Sequence, residues 1–547
     1  MATLRFLLNG EVRAEDSVPP TMTVLDWLRT RAHLTGTKEG CAEGDCGACT
    51  VAIARPHGNG EARWEAVNSC LMMLPQIDGC AVLTLEGLSR AGEPLHPVQQ
   101  ALVDCDATQC GYCTPGFAMA MFAFRESGEP ADDAVIHEAL AGNLCRCTGY
   151  RSIVDACRKV VNEAAGPYSN GLDGNAEVPA AFLPSPLWGG SDRHRRSGVG
   201  MAASEDESNE PHPQPLPTRG RGAQLLCVPH QESSRPEDEA QQAVPEAEST
   251  TQRLAYVFGE QQFLAPRSLN ELLALRTKHP DALLLAGGTD LGLRVSKHRE
   301  TLPLVISTAS VAELRFAREC TDALEIGAAC TYSSALPLLE KHFPAFGTLI
   351  RRIGSRQVRN LGTFAGNLAT ASPIGDTLPC LIALDAEVTL RSATGARALP
   401  VEKFITGYRK TALAADEIIE SIRIPFVPVG EHFEAYKLSK RFDQDISTVV
   451  AAFRLACVDG KVSALRVAFG GMAARPARAT AIEQAMIGRA WAQEALQDID
   501  ALVAQDFAPL SDFRGSASYR LRAAAGLLRR FQLETASTTP PVRLEAL

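Results

Sequence analysis

The sequence lacks long apolar runs, a surplus of positive charge and a leader-like N-terminus. No stretch of about 18 consecutive apolar residues occurs, so no membrane-spanning helix is predicted. The formal net charge of −10 at pH 7 disfavours nucleic acid and anionic membranes as main partners. The opening segment "MATLRFLLNGEVRAED" has neither the apolar core nor the small-residue cleavage site of a signal peptide. We therefore expect a cytoplasmic protein that binds neither nucleic acid nor membrane.

Cysteine, by contrast, is abundant: 16 occur in a chain of 547 residues, which is long enough for several domains. In the reducing compartment expected here, a disulfide framework is not predicted. Half of the cysteines form two tight groups, and the others are interpreted as small buried hydrophobic residues or occasional free thiols. The scattered ones are Cys80, Cys105, Cys157, Cys227, Cys320, Cys330, Cys380 and Cys457.

The N-terminal part of the chain predicts two modules, and the whole chain reads as a multidomain α+β protein. Residues 1–88 contain short strands, an Asn9-Gly10 hairpin turn and a helix that Thr23 would cap, a pattern that suits a small β-grasp domain. Residues 89–166 change to helical spacing and predict a small helical domain.

A change in composition separates these modules from the rest of the chain. Residues 167–252 are rich in Pro, Gly and charged residues without a lasting period, and they predict a disordered linker or insertion with no function of its own. Residues 253–428 alternate helices and strands, beginning with a helix that Ser268 would cap. Residues 429–540 predict a distinct α/β domain.

The first cysteine group has the spacing C-x4-C-x2-C, followed by a more distant fourth cysteine. Its members are Cys41, Cys46, Cys49 and Cys70. This spacing is typical of plant-type [2Fe–2S] ferredoxins. Gly44, Gly47 and Ala48 lie between the thiols and would let backbone N–H groups approach a cluster closely. The alternative is a structural zinc, which usually shows paired C-x2-C hooks that this group lacks.

The second cysteine group combines C-x2-C with C-x-C, in "QCGYC" and "NLCRCTGYR". Its members are Cys110, Cys113, Cys145 and Cys147. Taken alone, this arrangement leaves a zinc site and a redox pair open beside an iron–sulfur cluster. Its place directly after a ferredoxin-like domain favours a second cluster.

The segments "CAEGDCGACTV", "NSCLMML", "TQCGYCTPGF" and "GNLCRCTGYR" resemble the iron–sulfur half of the molybdenum hydroxylases. That family includes xanthine dehydrogenase, aldehyde oxidases and carbon monoxide dehydrogenase. The resemblance covers residues 3–163 and implies that all eight grouped cysteines bind two [2Fe–2S] clusters. It also implies a four-helix domain around the second cluster, near a molybdopterin cofactor that Gln109 would approach.

Two glycine-containing loops in the second half are candidates for a nucleotide site. "LLLAGGTDLG" at 283–292 follows an apolar strand, and "RQVRNLGTFAGNLATASPIGDTLP" at 356–379 is dense in Gly, Ser, Thr and Asn. Backbone N–H groups and hydroxyls of such loops could cradle a pyrophosphate. For the first loop alone a structural turn is the more frequent explanation, and it lacks the GxGxxG spacing of a Rossmann fingerprint. Next to an iron–sulfur half, a redox nucleotide is the expected ligand.

These loops, together with "YKLSKR", resemble the PCMH-type FAD-binding domain of the same family, and residues 429–540 resemble a carbon monoxide dehydrogenase flavoprotein C-terminal domain. The resemblance implies FAD contacts at both loops and at more distant positions. Those residues are Leu284, Leu285, Ala286, Gly287, Gly288, Thr289, Asp290, Leu291, Ile353, Thr363, Gly366, Asn367, Asp376, Ile419 and Lys437. Ile353 would pack against the isoalloxazine ring. For Asp376 and Lys437, a surface ion pair or a helix cap is the alternative.

Both halves in one chain, in this order, resemble the small subunit of bacterial xanthine dehydrogenases. The resemblance implies a molybdopterin-binding large subunit as partner, assembled as a dimer of heterodimers, and NAD as electron acceptor. The chain would relay electrons through two [2Fe–2S] clusters to FAD during purine oxidation, and it would need no catalytic acid or base of its own. The alternatives are the small subunit of an aldehyde or N-heterocycle dehydrogenase, a stand-alone NADH-oxidising reductase, and a non-enzymatic iron–sulfur sensor or maturation factor.

Overall fold

The computed structural model of the chain describes residues 2–56, 62–89, 92–162 and 254–536. The predicted linker, which includes Cys227, lies outside the described residues. The multidomain α+β fold class predicted from the sequence is confirmed. Within the described part of the chain, no helix is long and apolar enough to cross a membrane.

The first module is a mixed sheet with one helix against it, the β-grasp arrangement. Its elements are β1 (Leu4–Leu8), β2 (Glu11–Glu15), α1 (Val24–Thr30), β3 (Thr50–Pro56), β4 (Ala62–Asn68) and β5 (Ala81–Leu83), with 3-10 turns at Leu74–Ile77 and Leu85–Gly87. The strand order is β2-β1-β5-β3-β4, and β1 runs parallel to β5. Asn9 and Gly10 form the predicted turn with φ values of 53° and 87°. The Thr23 hydroxyl caps α1 by accepting the Asp26 N–H at 3.0 Å.

The second module consists of helices around one central helix that has a long apolar stretch. Its elements are α2 (Pro97–Asp104), α3 (Thr114–Ser127), α4 (Asp133–Leu140) and α5 (Arg151–Asn162). Every residue of α3 from Pro115 to Phe124 is buried, because the helix packs against the other three and against β3 and β4. Ala52 and Ala66 of the sheet belong to the same core and leave room for this close packing.

The second half of the chain begins with a four-stranded sheet in the order β6-β7-β9-β8. Its elements are β6 (Leu254–Phe258), β7 (Gln261–Ala265), α6 (Leu269–Lys278), β8 (Leu283–Leu285), α7 (Leu291–Ser296) and β9 (Leu304–Ser307). The strands β7, β9 and β8 run parallel. Ser268 caps α6, as predicted, by accepting the Glu271 N–H at 3.3 Å.

A five-stranded antiparallel sheet follows, in the order β10-β11-β16-β12-β13, with helices packed on it. Its strands and those of a small hairpin are β10 (Ala317–Glu319), β11 (Ala323–Gly327), β12 (Glu387–Ser392), β13 (Gly395–Pro400), β14 (Ile405–Gly407), β15 (Lys410–Thr411) and β16 (Ile418–Pro425). The helices are α8 (Tyr332–His342), α9 (Pro344–Arg351), α10 (Arg356–Arg359), α11 (Phe364–Thr370), α12 (Thr377–Ala383) and α13 (Val401–Phe404), after a 3-10 turn at Ala312–Leu314.

The last part is an antiparallel meander covered by helices. Its elements are β17 (His432–Leu438), β18 (Val449–Val458), β19 (Lys461–Gly470), β20 (Ala477–Arg478), α14 (Thr480–Met486), α15 (Ile499–Asp506) and α16 (Ala517–Ala536), with a 3-10 turn at Gln493–Leu496. Its core is separate from that of the preceding sheet, although α12 packs on β18 and β19 and so joins the two.

The β-grasp module and the β6–β9 sheet share one hydrophobic core, although about 170 residues of sequence separate them. Phe6 and Trp27 of the first pack in the same cluster as Tyr256 and Phe263 of the second. The buried Tyr256 hydroxyl donates to Val18 O at 2.8 Å and accepts the Val18 N–H at 3.3 Å. The two halves of the chain are therefore joined by packing and not only by the linker.

Replacing Tyr256 with Phe keeps the ring and leaves both backbone groups of Val18 without this partner. We expect the free energy of unfolding to fall by about 1–3 kcal/mol, because buried unpaired groups lose their hydrogen bonds without regaining water. Urea unfolding of the cofactor-loaded chain measures the change. Tyr408→Phe is the control, since that ring is 62% exposed and should change stability by less than about 0.5 kcal/mol. Equal losses in both variants would contradict the role of the Tyr256 hydroxyl.

Candidate functional site

The first cysteine group lies in the loop before β3 and at the end of β4, and its thiols form two pairs. The Cys49 and Cys70 Sγ atoms are 3.2 Å apart and buried. The Cys41 Sγ accepts backbone N–H groups of Glu43, Asp45 and Cys46 at 3.3–3.4 Å. The loop can wrap around that sulfur because Gly44 and Gly47 adopt left-handed conformations, with φ values of 78° and 67°.

The electrostatics of this loop favour one thiolate in each thiol pair, because the same contacts raise the pKa of Cys46 and Cys70. A hydrogen bond with the Cys46 thiol, helped by the three backbone N–H donors, lowers the pKa of Cys41 to about 5 despite burial. The contact with Cys70 likewise lowers the pKa of Cys49. A binuclear cluster takes two thiolates on each iron, and two adjacent thiol pairs fit that requirement. Among the described residues, no three His, Cys, Asp or Glu side chains gather around a single ion position, and no cysteine forms a disulfide.

The second cysteine group lies at the surface of the helical module. Cys110 and Cys147 are exposed, with Sγ atoms 3.6 Å apart, and burial and then the neighbouring Cys145 raise the pKa of Cys113. The Cys145 Sγ also accepts the backbone N–H groups of Cys147 and Thr148 at 3.4 Å and 3.5 Å. This group therefore repeats the pairwise arrangement of the first.

The exposed face around this group includes the residue that the resemblance places near a molybdopterin. Gln109 is exposed, and so are Tyr112, which lies between Cys110 and Cys113, and Tyr150, which follows Cys147 in the chain. A group bound by Cys110 and Cys147 would thus lie close to whatever covers this face.

The two cysteine loops touch each other directly. The Leu144 N–H donates to Cys46 O at 3.0 Å, and the Asn143 side-chain amide donates to Gly47 O at 2.9 Å. A Cβ added at Gly47 would lie 2.2 Å from Gly142 O, so no other residue fits there without moving the second loop. Leu144 precedes a ligand-candidate cysteine in one loop, and Cys46 is one in the other. The contact therefore links the two sets with no intervening side chain.

The two glycine loops predicted to bind a nucleotide also lie together. A Cβ at Gly287 would lie 1.8 Å from Leu361 O, which shows how closely the loop after β8 packs on the loop before α11. Thr363 caps α11 by accepting the Gly366 N–H at 2.9 Å. Asn367 accepts the Thr377 hydroxyl at 2.6 Å and so ties α11 to α12.

A cavity of about 470 Å³ opens between these loops and the β-grasp module. Its wall includes Ala286, Gly287 and Thr363 of the predicted FAD contacts. The other lining residues are Arg55, Glu65, Pro75, Gln76, Asp78, Leu254, Phe263, Ala265, Arg267, Ser307, Ala309, Ser310, Ala312, Arg315, Ala329, Cys330, Thr331, Ser334 and Leu361. Arg55 and Arg267 pair with Glu65 and Asp78 at 3.0 Å and 3.5 Å, and Arg315 adds one further positive charge, which suits a ligand with phosphate groups.

The arginines of this cavity show whether its wall suits a dinucleotide. The buried Nε of Arg267 has no hydrogen-bond partner within the described residues, so a donor is left over at the cavity wall. Loss of solvation in the cavity wall, and then the like charges of Arg267 and Arg55, lower the pKa of Arg315. An anionic group bound here would satisfy the free donor and offset the repulsion. Sequence reasoning missed these arginines because they come from three distant segments with no shared pattern.

The remaining predicted FAD contacts lie outside this cavity wall. Asp376 and Lys437 form a buried ion pair at 2.7 Å, with side chains 9% and 2% exposed, and Ser447 donates a further hydrogen bond to Asp376. The two residues therefore form an ion pair, as the alternative interpretation expected, but the pair lies in the protein interior and not at the surface. Ile419 is buried in β16, and Leu285 is fully buried in the shared core. Only the backbone of Leu285 could face a ligand.

The cysteine assignments predict different effects for two exposed thiols. Cys147→Ser should lose the second cluster, so bound iron should fall to about half and one of two EPR signals should disappear. Cys457→Ser is the matched control, because Cys457 is also exposed but lies on β18 away from both groups. Iron analysis and EPR of the dithionite-reduced proteins measure the outcome. Unchanged iron in Cys147→Ser would remove that residue from the ligand set.

Four domain families match the chain, and together they span nearly all the described residues. A 2Fe-2S iron-sulfur cluster binding domain matches residues 6–74, and a [2Fe-2S] binding domain matches residues 84–158. The FAD binding domain in molybdopterin dehydrogenase matches residues 258–427. The CO dehydrogenase flavoprotein C-terminal domain matches residues 434–535.

The chain is 32% identical to the xanthine dehydrogenase/oxidase of Gallus gallus over 92% of its own length and 37% of the relative. It is 29% identical to aldehyde oxidase 2 of Macaca fascicularis, over 97% of its length and 39% of that protein. A carbon monoxide dehydrogenase structure from Hydrogenophaga pseudoflava aligns at 30% identity and a TM-score of 0.47, covering 50% of this chain and 96% of that one. The chain thus spans less than half the length of the curated relatives it matches. By its four domain matches, it belongs to the molybdenum hydroxylase family and carries the [2Fe–2S] and FAD modules of that family.

Proposed function

We propose that this chain relays electrons from a molybdopterin-binding partner subunit, through two [2Fe–2S] clusters, to FAD and on to NAD+ while hypoxanthine or xanthine is oxidised to urate. One observation carries the proposal. The second cysteine group, with Cys110 and Cys147 exposed, contacts the first group, and the first group contacts the helix after the first glycine loop. Such an order is what a relay from a surface-bound partner to a flavin requires.

The contacts at the flavin end of this series come from α7. The Ser296 hydroxyl donates to Ala42 O at 2.7 Å, and the Lys297 ammonium donates to Cys41 O at 3.2 Å. A Cβ at Gly292 would lie 2.3 Å from Leu71 O, next to the fourth cysteine of the first group. The first cysteine group therefore adjoins the flavin module, which supports its assignment as the cluster nearer FAD.

In this proposal the residues of the chain hold and tune groups that carry the electrons. When bound, the clusters would pass single electrons and the flavin would convert between one-electron and two-electron chemistry. Backbone N–H groups directed at the Cys41 and Cys145 sulfurs stabilise negative charge there and would raise the potentials of the clusters. The cavity arginines would neutralise the FAD phosphates. None of these roles needs a catalytic acid or base.

The purine substrate and the partner are supported by the relatives. The xanthine dehydrogenase matches reach 32% identity, and each curated relative is more than twice as long as the part that this chain covers. We infer that the partner is a molybdopterin-binding large subunit, in a dimer of heterodimers. Purine recognition would then lie on the partner, and the complex would be a cytoplasmic enzyme of purine catabolism.

A second substrate class has nearly equal support. The aldehyde oxidase matches reach 29% and 31% identity over 97% of the chain, close to the values for the xanthine enzymes. The same relay would then serve a partner that oxidises aldehydes or N-heterocycles. Assays of the assembled complex on both substrate classes distinguish the two.

Gly287→Ala tests the nucleotide cradle. The added Cβ would press on backbone atoms of Leu361 and Gly362, which cannot rotate away, so the loop must shift. Overpacking of this kind costs about 1–3 kcal/mol, and we expect the dissociation constant of FAD to rise about tenfold or more. Gly526→Ala is the control, because a Cβ there meets no atom within 4 Å. Flavin fluorescence on dilution measures the release, and equal affinity in both variants would argue against the cradle.

Purifying this chain alone, and then together with its partner subunit, tests the relay. We expect the isolated chain to carry iron and flavin and to reduce dyes with NADH, but not to oxidise xanthine. Co-expression with the molybdopterin-binding chain should restore xanthine oxidation coupled to NAD+ reduction. Turnover of xanthine by the isolated chain, or a chain with neither iron nor flavin, would refute the proposal. NADH-driven turnover of a physiological acceptor without any partner would instead favour a stand-alone reductase.

A further inference from the structure

The short helix α10 lies where the flavin module meets both cysteine loops. Gln357 is fully buried, and its side-chain amide donates to Asn143 Oδ1 at 2.8 Å. Asn143 in turn holds Gly47 O, as described above. Directly after the helix, the Asn360 amide donates to Ala66 O at 2.9 Å on β4. Gln357 therefore contacts the second cysteine loop directly and the first loop through Asn143. Asn360 contacts the β-grasp sheet.

On the other face of α10, Arg359 holds the turn that carries Ile353. Its side chain is 3% exposed. One guanidinium nitrogen donates to the carbonyl oxygens of Arg351, Ile353 and Gly354 at 2.8, 3.2 and 3.4 Å. The other terminal nitrogen donates to the carboxylate of Glu138 on α4. A single buried side chain therefore ties this turn to the helical module.

The chemistry of this link requires arginine. A guanidinium is planar and presents separate N–H groups on different edges, so it can hold backbone carbonyls and a carboxylate at the same time. An ammonium group has three donors at one point and cannot span both partners. Gly354 has a φ of 55°, in the left-handed region, and this conformation lets the turn direct its carbonyl oxygens toward the guanidinium.

We propose that Arg359, paired with Glu138, is a positioning residue that fixes the Ile353 turn against the helical module and thereby sets the shape of the flavin site. The inference rests on the proposed function and on the expectation, given by the family resemblance, that Ile353 packs against the flavin ring. It adds a coupling between the module of the second cysteine group and the flavin pocket. Neither residue touches a cofactor in this assignment.

Arg356 provides a matched control on the same helix. It pairs with Glu129 at 2.9 Å and also with Glu138, but it makes no hydrogen bond to the Ile353 turn. Arg356→Lys therefore removes an arginine from the same inter-module contact and leaves the carbonyls of the turn with their donor. Arg359→Lys keeps the charge near Glu138 and loses the bridge.

The test compares Arg359→Lys, Glu138→Gln and Arg356→Lys in the cofactor-loaded chain. We expect Arg359→Lys to raise the dissociation constant of FAD about tenfold, as expected for loss of a buried charge-assisted hydrogen bond, and to change the visible circular dichroism of the flavin. Glu138→Gln should shift both readouts in the same direction, because the guanidinium loses its anchoring charge. Arg356→Lys should stay within about twofold of the parent. All three should keep both cluster EPR signals.

Equal effects of Arg359→Lys and Arg356→Lys on FAD affinity and circular dichroism would overturn the inference. If Arg359→Lys fails to fold, Glu138→Gln decides: unchanged flavin affinity and dichroism in that variant would also overturn it. A parent chain that binds no FAD would instead refute the proposed function, so the two failures are distinguishable.

Discussion

The close approach of the two cysteine loops around Gly47 is the constraint on which the rest of the site depends. A side chain at this position would collide with the backbone of Gly142, and a Cβ at Gly116 would in turn lie 2.3 Å from Gly47 O. Only this packing brings the Leu144 N–H to Cys46 O. In the proposed relay, the absence of side chains at the contact keeps the two cysteine groups close together. The glycines act here by occupying little volume.

The shared core gives the same contact its rigidity. The β-grasp module packs on the β6–β9 sheet through one hydrophobic cluster, and on the helical module through another that includes Ala52 and Ala66. A domain that can hinge usually has a small, polar interface with its neighbour. The apolar packing on both sides of the sheet instead holds the cysteine loops at one spacing. It also places Arg55 in the wall of the cavity beside the flavin loops.

The charges of the cavity wall and those of the predicted contacts Asp376 and Lys437 are arranged differently. In the cavity wall, the Arg267 Nε lacks a hydrogen-bond partner within the described residues and Arg315 lies near two other arginines, so an anionic ligand would be stabilised there. The Asp376–Lys437 pair is already satisfied, and Lys437 also donates to Arg352 O at 2.9 Å, beside Ile353. Removing one member would leave a buried charge, which typically costs about 3–5 kcal/mol. This pair and Arg359 therefore hold the same turn from two sides.

Local signals in the sequence identified the two cysteine groups, the Asn9-Gly10 turn and the helix caps at Thr23 and Ser268. Each of these signals depends mainly on residues a few positions apart. The same applies to the glycine loops, although their pairing had to be inferred from a resemblance. Only the tertiary structure decided that the two halves share a core and that three distant arginines line one cavity. Arg359 and Glu138 are separated by 221 positions, and no periodicity or spacing marks them as partners. Such contacts arise from how whole modules pack, and the volume and charge that meet at an interface are not encoded in any single segment.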